Sequence, residues 1–202
     1  TYPPVFHGAS ISPAEPEYYE NVTVIVDVKD EEGGSGLKHV LIQYSVDNET
    51  WYDLAVELQG HYFVAEVPAQ PWNTTVYIKI TAEDKSGNMN VKILRYTVTD
   101  TVPPELISFE LPQNITYEHD VVVKVNFTDE GSGPSSIKIM YRVDFGEWKE
   151  VEGYLDPSSG LFMATIPAQH YGAQVDFKIY LYDRAGVFAV FPSDGAYSYK
   201  VG

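Results

Sequence analysis

Acidic side chains are the residues best placed to do chemistry in this sequence, and their spacing occurs twice. Asp30 precedes Gly34-Ser35-Gly36 and Asp129 precedes Gly131-Ser132-Gly133, while Asp84 opens Asp-Lys-Ser-Gly and Asp183 opens Asp-Arg-Ala-Gly. Clustered carboxylates offer two chemistries. Oxygen ligands converging from several loops hold calcium, and a pair in unequal environments performs general acid and base catalysis. Glu31-Glu32 is such a pair by adjacency only, because neighbours in one polar loop lack the apolar pocket that would separate their pKa values. For calcium, the strand order derived below brings Asp129, Glu130 and Asp183 to the end of a domain where Asp100 enters, so these four are the expected ligands. The competing reading is that Asp in such turns accepts backbone N–H groups. No Asp-x-Asp-x-Asp-Gly spacing marks a dedicated calcium loop.

Other reaction chemistries find no frame. The five histidines, His7, His39, His61, His119 and His170, show no metal-ligand spacing, and none recurs at an equivalent position of the repeat described below. The Gly-Ser-Gly runs resemble a nucleophile loop, yet no Gly-x-Ser-x-Gly joins a strand to a helix. With no cysteine there is no thiolate, no disulfide frame and no Cys-based zinc site. A non-enzymatic role is expected, with no cofactor other than calcium. The formal charge of -16, from 29 acidic and 13 basic residues, disfavours nucleic acid and anionic lipid as partners. No apolar run approaches the roughly 18 residues of a membrane span.

Two further features point to the surface. Five of the seven Asn residues stand in Asn-x-Thr: Asn21, Asn48, Asn73, Asn114 and Asn126. They are candidate glycosylation sites, against the alternative that Asn and Thr are ordinary turn and strand residues. Trp72 and its counterpart Tyr171 sit in equivalent loops and are the candidate sugar-stacking aromatics. Trp51 and Trp148 also match each other, and a Trp at one recurring position reads most simply as a core or sheet-edge plug.

The elements that must carry these residues come from a repeat of about 100 residues. Thr1-Tyr2-Pro3-Pro4 recurs as Thr101-Val102-Pro103-Pro104, Tyr44-Ser45-Val46-Asp47 as Tyr141-Arg142-Val143-Asp144, and Phe63 to Gln70 as Phe162 to Gln169. Two domains are expected, 1–100 and 101–202. Within each, apolar residues recur with period two: Val22, Val24, Val26 and Val28 answer Val121, Val123, Val125 and Phe127, and Val76, Ile78, Ile80 and Ala82 answer Val175, Phe177, Ile179 and Leu181. That is the mark of half-buried strands. Seven strands per repeat, punctuated by Gly, Pro, Asn and Asp, predict an all-β antiparallel sandwich of two sheets. Pro192-Ser193-Asp194-Gly195 predicts a bulge or split in the last strand of the second copy.

The order Pro-Pro, strand, Asp with Gly-Ser-Gly, Tyr-x-Val-Asp, Trp, Phe-x-Ala-x-(Val/Ile)-Pro-Ala and Asp-x-x-Gly resembles the immunoglobulin-like, fibronectin type III-like modules of prokaryotic (archaeal or bacterial) secreted and cell-surface proteins. The resemblance spans the chain twice. It implies two tandem seven-stranded antiparallel immunoglobulin-like β-sandwiches, an extracellular or cell-surface setting, and a spacing or binding role with a protein or polysaccharide partner. A polysaccharide-binding segment of a secreted hydrolase is the alternative. It carries over no catalytic residues, and the Cys, Trp, Cys pattern of antibody domains is absent. Because the opening residues copy the linker, further domains of the same chain are expected. The linker holds two prolines, which predicts stiffness. Both halves are acidic, with 15 acidic against 6 basic residues in 1–100 and 14 against 7 in 101–202.

Overall fold

The computed structural model describes residues 2–31 and 33–202, so Thr1 and one member of the Glu31-Glu32 pair, Glu32, lie outside the described residues. The chain folds as two units, Thr1–Asp100 and Thr101–Gly202, and no described residue is helical.

The first unit runs β1 (Val5–Ser12), β2 (Val22–Lys29), β3 (Leu37–Ser45), β4 (Tyr52–Asp53), β5 (Glu57–Gln59), β6 (Tyr62–Val67), β7 (Thr75–Asp84) and β8 (Met89–Thr97). They form two four-stranded antiparallel sheets, ordered β1-β2-β6-β5 and β4-β3-β7-β8. The second unit repeats this plan with β9 (Glu105–Glu110), β10 (Val121–Thr128), β11 (Pro134–Val143), β12 (Lys149–Glu152), β13 (Tyr154–Leu155), β14 (Phe162–Ile166), β15 (Gln174–Asp183), β16 (Phe188–Phe191) and β17 (Tyr197–Lys200). Its sheets are β9-β10-β14-β13, and a five-stranded sheet in which β12-β11-β15-β16 is joined by β17 on β15. Both units are immunoglobulin-like sandwiches, with β1, β2, β5 and β6 facing β3, β4, β7 and β8 in the first and β9, β10, β13 and β14 facing β11, β12, β15, β16 and β17 in the second.

Two departures from seven strands have local causes. The stretch after each Trp is too short to make one full strand, so it pairs briefly with each sheet in turn: β4 with β3 and then β5 with β6, and likewise β12 with β11 and then β13 with β14. Gly153 marks that crossing in the second unit. Its N–H donates to the Ile137 carbonyl at 2.9 Å, and a Cβ there would run into the Ile137 side chain and come 2.9 Å from the Met163 carbonyl oxygen. The last strand of the second unit is split into β16 and β17 across Pro192–Gly195, both halves pairing with β15.

The period-two pattern becomes the core. Val22, Val24, Val26, Val28, Ile42, Val67, Val76, Ile78 and Ile80 close the first interior, and Val121, Val123, Val125, Ile137, Ile139, Ile166, Val175, Phe177, Ile179 and Leu181 the second. Phe177, fully buried, stands where the first unit has Ile78, and it gathers Phe109, Tyr197 and Tyr199 around its ring at 5.5 to 6.1 Å. Two inward groups of the last strands are phenols, Tyr96 and Tyr199. Burial, with Tyr44 close by, pushes Tyr96 up to about 12, and burial with Tyr141 close by pushes Tyr199 higher still, so both stay neutral near neutral pH.

Candidate interaction surface

Each acidic loop is a clasp, made the same way twice. Asp30 Oδ2 accepts the Gly36 N–H at 2.6 Å, and Asp129 Oδ1 accepts the Gly133 N–H at 2.6 Å. The loop is then tied to the Asp-x-x-Gly turn. Gly36 and Gly133 carbonyls accept the Lys85 and Arg184 N–H groups at 2.9 and 3.0 Å, while Ser35 and Ser132 hydroxyls accept the Ser86 and Ala185 N–H groups, both at 3.1 Å. Asp84 accepts from the Ser86 and Asn88 backbones and from the Asn88 side chain, and Asp183 from the Val187 N–H at 2.8 Å. Burial pushes the Asp84 carboxyl up, but the Asn88, Ser86 and Ser35 donors outweigh it and hold the group below its ordinary value.

Of the four expected calcium ligands, Asp129 and Asp183 each bring a carboxylate oxygen within 4.8 Å of the other inside the second unit. Glu130 is exposed and does not join them, and Asp100 is buried at the end of the first unit.

All five Asn-x-Thr asparagines are exposed. Three also serve the backbone. The Asn21 side chain accepts the Ala69 N–H at 2.9 Å and donates to Glu66, the first of these being the role Asp120 plays toward the Ala168 N–H. Asn48 and Asn73 have φ of 61° and 62°, a left-handed conformation Asn tolerates. Where the first unit has Asn73, the second uses Gly172, and they donate their N–H to the Val98 and Val201 carbonyls just past β8 and β17.

The aromatics are arranged differently from the sequence-based expectation. Trp72 is half-buried, while Tyr171 is 74% exposed and meets Tyr117 edge to face. Trp51 and Trp148, expected to plug a core or sheet edge, belong to neither core. Each lies outside its sheet under a cation from a neighbouring strand: Lys79 sits 4.2 Å from the Trp51 ring and the Arg142 guanidinium 4.9 Å from Trp148. No local sequence signal announces this, because the cations come from other positions in the sheet.

On the second unit these contacts open a longer array. Strand parity sends Lys138, Met140 and Arg142 of β11 and Asp176, Lys178, Tyr180 and Tyr182 of β15 outward, with Phe188 beside Tyr182 on β16. Phe188 stacks on Tyr180 at 6.3 Å and tilts against Tyr182 at 5.7 Å. Arg142 also faces the Phe145 ring at 5.6 Å and pairs with Asp176 at 2.9 Å. Met140, Trp148, Lys178 and Tyr180 line a shallow cavity of about 170 Å³. The signal that could have found this face is the polar phase of the strands, since Tyr180 and Tyr182 alternate with buried Ile179 and Leu181.

The hairpin tip feeding this face is strained. Asp144 and Phe145 take φ of 49° and 61°, closed by the Gly146 N–H donating to the Val143 carbonyl at 2.9 Å. This is the tight turn that hairpins favour with Asn-Gly or Asp-Gly. Asp144 anchors it by accepting the Gln174 N–H at 2.9 Å and pairing with His170 Nε2 at 2.8 Å. The Gln174 amide and His170 hold the Asp144 carboxyl below its ordinary value, while the Tyr171 carbonyl and Asp144 raise the His170 imidazole.

The first unit shows other surfaces. A cavity of about 380 Å³ lies along β5 and β6, lined by Thr23, Glu57, Gln59, Val64 and Glu66 among others. Met89, Val91 and Ile93 form an exposed aliphatic row on the edge strand β8, where half-buried Lys92 points inward, a device that discourages edge pairing.

A family model for a domain of unknown function (DUF7743) matches residues 98–201. No curated protein matches the chain. Among solved structures it is similar to the tetra-tandem repeat in the extending region of a large adhesion protein, with TM-score 0.51 and 10% identity over 98% of this chain and 50% of that one. It is also similar to titin domains Z1Z2 from their complex with telethonin, with TM-score 0.45 and 13% identity over 100% of this chain and 98% of that one. A third is the N-terminal Ig1-2 module of the Drosophila receptor protein tyrosine phosphatase DLAR, with TM-score 0.39 and 11% identity over 99% of this chain and 98% of that one. At these identities the likeness is one of fold.

Proposed function

The chain belongs to the DUF7743 family, and from that premise we propose that it is a non-catalytic tandem module, an extracellular spacer or adhesion-type repeat of a larger secreted or surface protein. One observation carries the reading: the inward side chains of both sandwiches are used in packing, and the loop aspartates Asp30, Asp84, Asp129 and Asp183 each accept a backbone N–H. An active site needs groups of shifted pKa in mutual reach around a pocket. The buried Asp84 and Asp183 serve turns instead. The fold likeness to a repeat from the extending region of an adhesion protein supports the same reading. The prokaryotic origin suggested by the sequence pattern, and sugars on the five exposed asparagines, belong to this proposal.

A second reading, a polysaccharide-binding segment beside a secreted hydrolase, is favoured by the outward aromatic face of the second unit. In either case the chain must resist extension as separate bodies. Pulling single molecules from both ends tests this. Two unfolding steps are expected, each releasing on the order of 300 Å of chain. A single step, or extension without resistance, would overturn the spacer reading.

A further inference from the structure

We propose that the outward face of the second unit's five-stranded sheet binds an acidic polysaccharide, seating a hexuronate ring on Trp148 and Tyr180 with its carboxylate on the Lys178 ammonium. This rests on the reading of the chain as a binding module and names the ligand class.

The charge of the face selects the ligand. Lys138, Arg142 and Lys178 stand together on β11 and β15 in a chain of only 13 basic residues. Lys138 is outnumbered by Glu150 and Glu152 at 3.1 and 3.2 Å, and Arg142 is matched by Asp176, so the attraction for an anion rests on Lys178 alone. Lys178 has no acidic partner among the described residues, and it lines the same cavity as Trp148, Tyr180 and the Met140 thioether. A ligand that completes this site needs an apolar ring face for the aromatics and a carboxylate for the amine. A hexuronate has both on one ring, since the C–H face of a pyranose packs on an aromatic plane while its carboxylate projects from the rim.

The face also has the length for a polymer. Phe145 lies at one end against Arg142, and Phe188 and Tyr182 at the other beyond Tyr180. Phe145 is 74% exposed in a left-handed backbone conformation where the first unit places Asn48. Beyond the Arg142 contact, this large apolar side chain stays in solvent in such a conformation, and strain of that kind gathers at binding sites. The acidic remainder of the chain repels a polyanion at long range, so the attraction is local and is expected at about 0.15 M salt, where distant charges are screened.

The test is calorimetry of the 202-residue chain with a linear galacturonic acid oligomer and with an uncharged glucose oligomer of matched length. The galacturonate is expected to bind about tenfold more tightly, as the charge-assisted contact implies. Lys178→Gln should erase that preference and Lys178→Arg should keep it, whereas Trp148→Ala should weaken both ligands about tenfold. Lys178→Gln removes charge at a half-buried surface position, so it decides the matter if Trp148→Ala fails to fold. Absence of heat with either oligomer, equal binding of the two, or galacturonate binding indifferent to Lys178→Gln would each overturn the proposal while leaving the spacer reading standing. Shortened oligomers recovered after incubation would instead overturn the non-catalytic reading.

Discussion

The two units build the same hairpin and then use it differently. In the first, Asp47 keeps its hydrogen bonds local, accepting the Glu49 and Thr50 N–H groups at 2.8 and 2.7 Å and the Ser45 hydroxyl, which hold its carboxyl far below the ordinary range. Asn48 follows, and a single Lys79 covers Trp51. In the second, the equivalent Asp144 reaches across to Gln174 and His170, Phe145 replaces Asn, and Arg142 lies between the Phe145 and Trp148 rings. Outside the hairpin, the first unit's closing strand shows an aliphatic row, while the second unit's shows Phe188 beside Tyr180 and Tyr182 of β15. Meanwhile the clasps of Asp30 and Asp84 are copied by Asp129 and Asp183 almost bond for bond. The clasps fix the frame in both copies, and the outward sheet face is where the two copies differ.

Core substitutions should separate the units most strongly. Phe177→Ala should cost about 3–5 kcal/mol, because it empties the centre of an aromatic cluster, and Ile78→Ala about 2–5 kcal/mol. Denaturant melts should show each change confined to one of two transitions; a single transition displaced by both variants would break the comparison.

A smaller effect of opposite sign is expected at the hairpin tip. Phe145→Asn restores the first unit's residue at a left-handed position and should stabilise the second unit by up to about 1 kcal/mol, the strain of a non-glycine residue there. A thermal melt with lowered stability would show that Phe145 packs rather than strains.

The smallest effect is electrostatic and sharpens the contrast between a local and a reaching Asp. His170 is raised from 6.5, so its contribution to stability is full below that value and fades as pH rises through the raised one. Asp144 is lowered from 3.8, so its contribution is present above 3.8 and fades as pH falls through the lowered one. The contact is therefore strongest between about 4 and 6.5. In Asp144→Asn, imidazole NMR titration should show the His170 pKa fall, the Tyr171 carbonyl contribution remaining; an unmoved value would remove the ion pair from the account.

Much of the fold was legible because period two has a direct physical cause. Val22 to Val28 and Val121 to Phe127 alternate since one side of each strand must leave water, and they are the buried strands found. The split at Pro192 followed from a residue that cannot donate to a ladder. What the pattern could not carry was pairing too short to alternate, such as Tyr52–Asp53, and contacts between strands distant in sequence. Trp148 reads as a plug until Arg142 is known to lie above it, and the matched Trp72 and Tyr171 read alike, though Trp72 is half-buried and Tyr171 exposed. The paired Asp loops were visible as turns, but only coordinates show which amides they accept.

The claim that this chain acts through one outward sheet face, and not through its interior or its acidic loops, is tested most directly by amide NMR of the full chain titrated with the galacturonate oligomer. Shifts should concentrate on β11, β15 and β16 around Met140, Lys178, Tyr180 and Phe188, with the equivalent strands β3, β7 and β8 unmoved. Shifts centred on the Asp129 and Asp183 loops, or spread equally over both units, would contradict it.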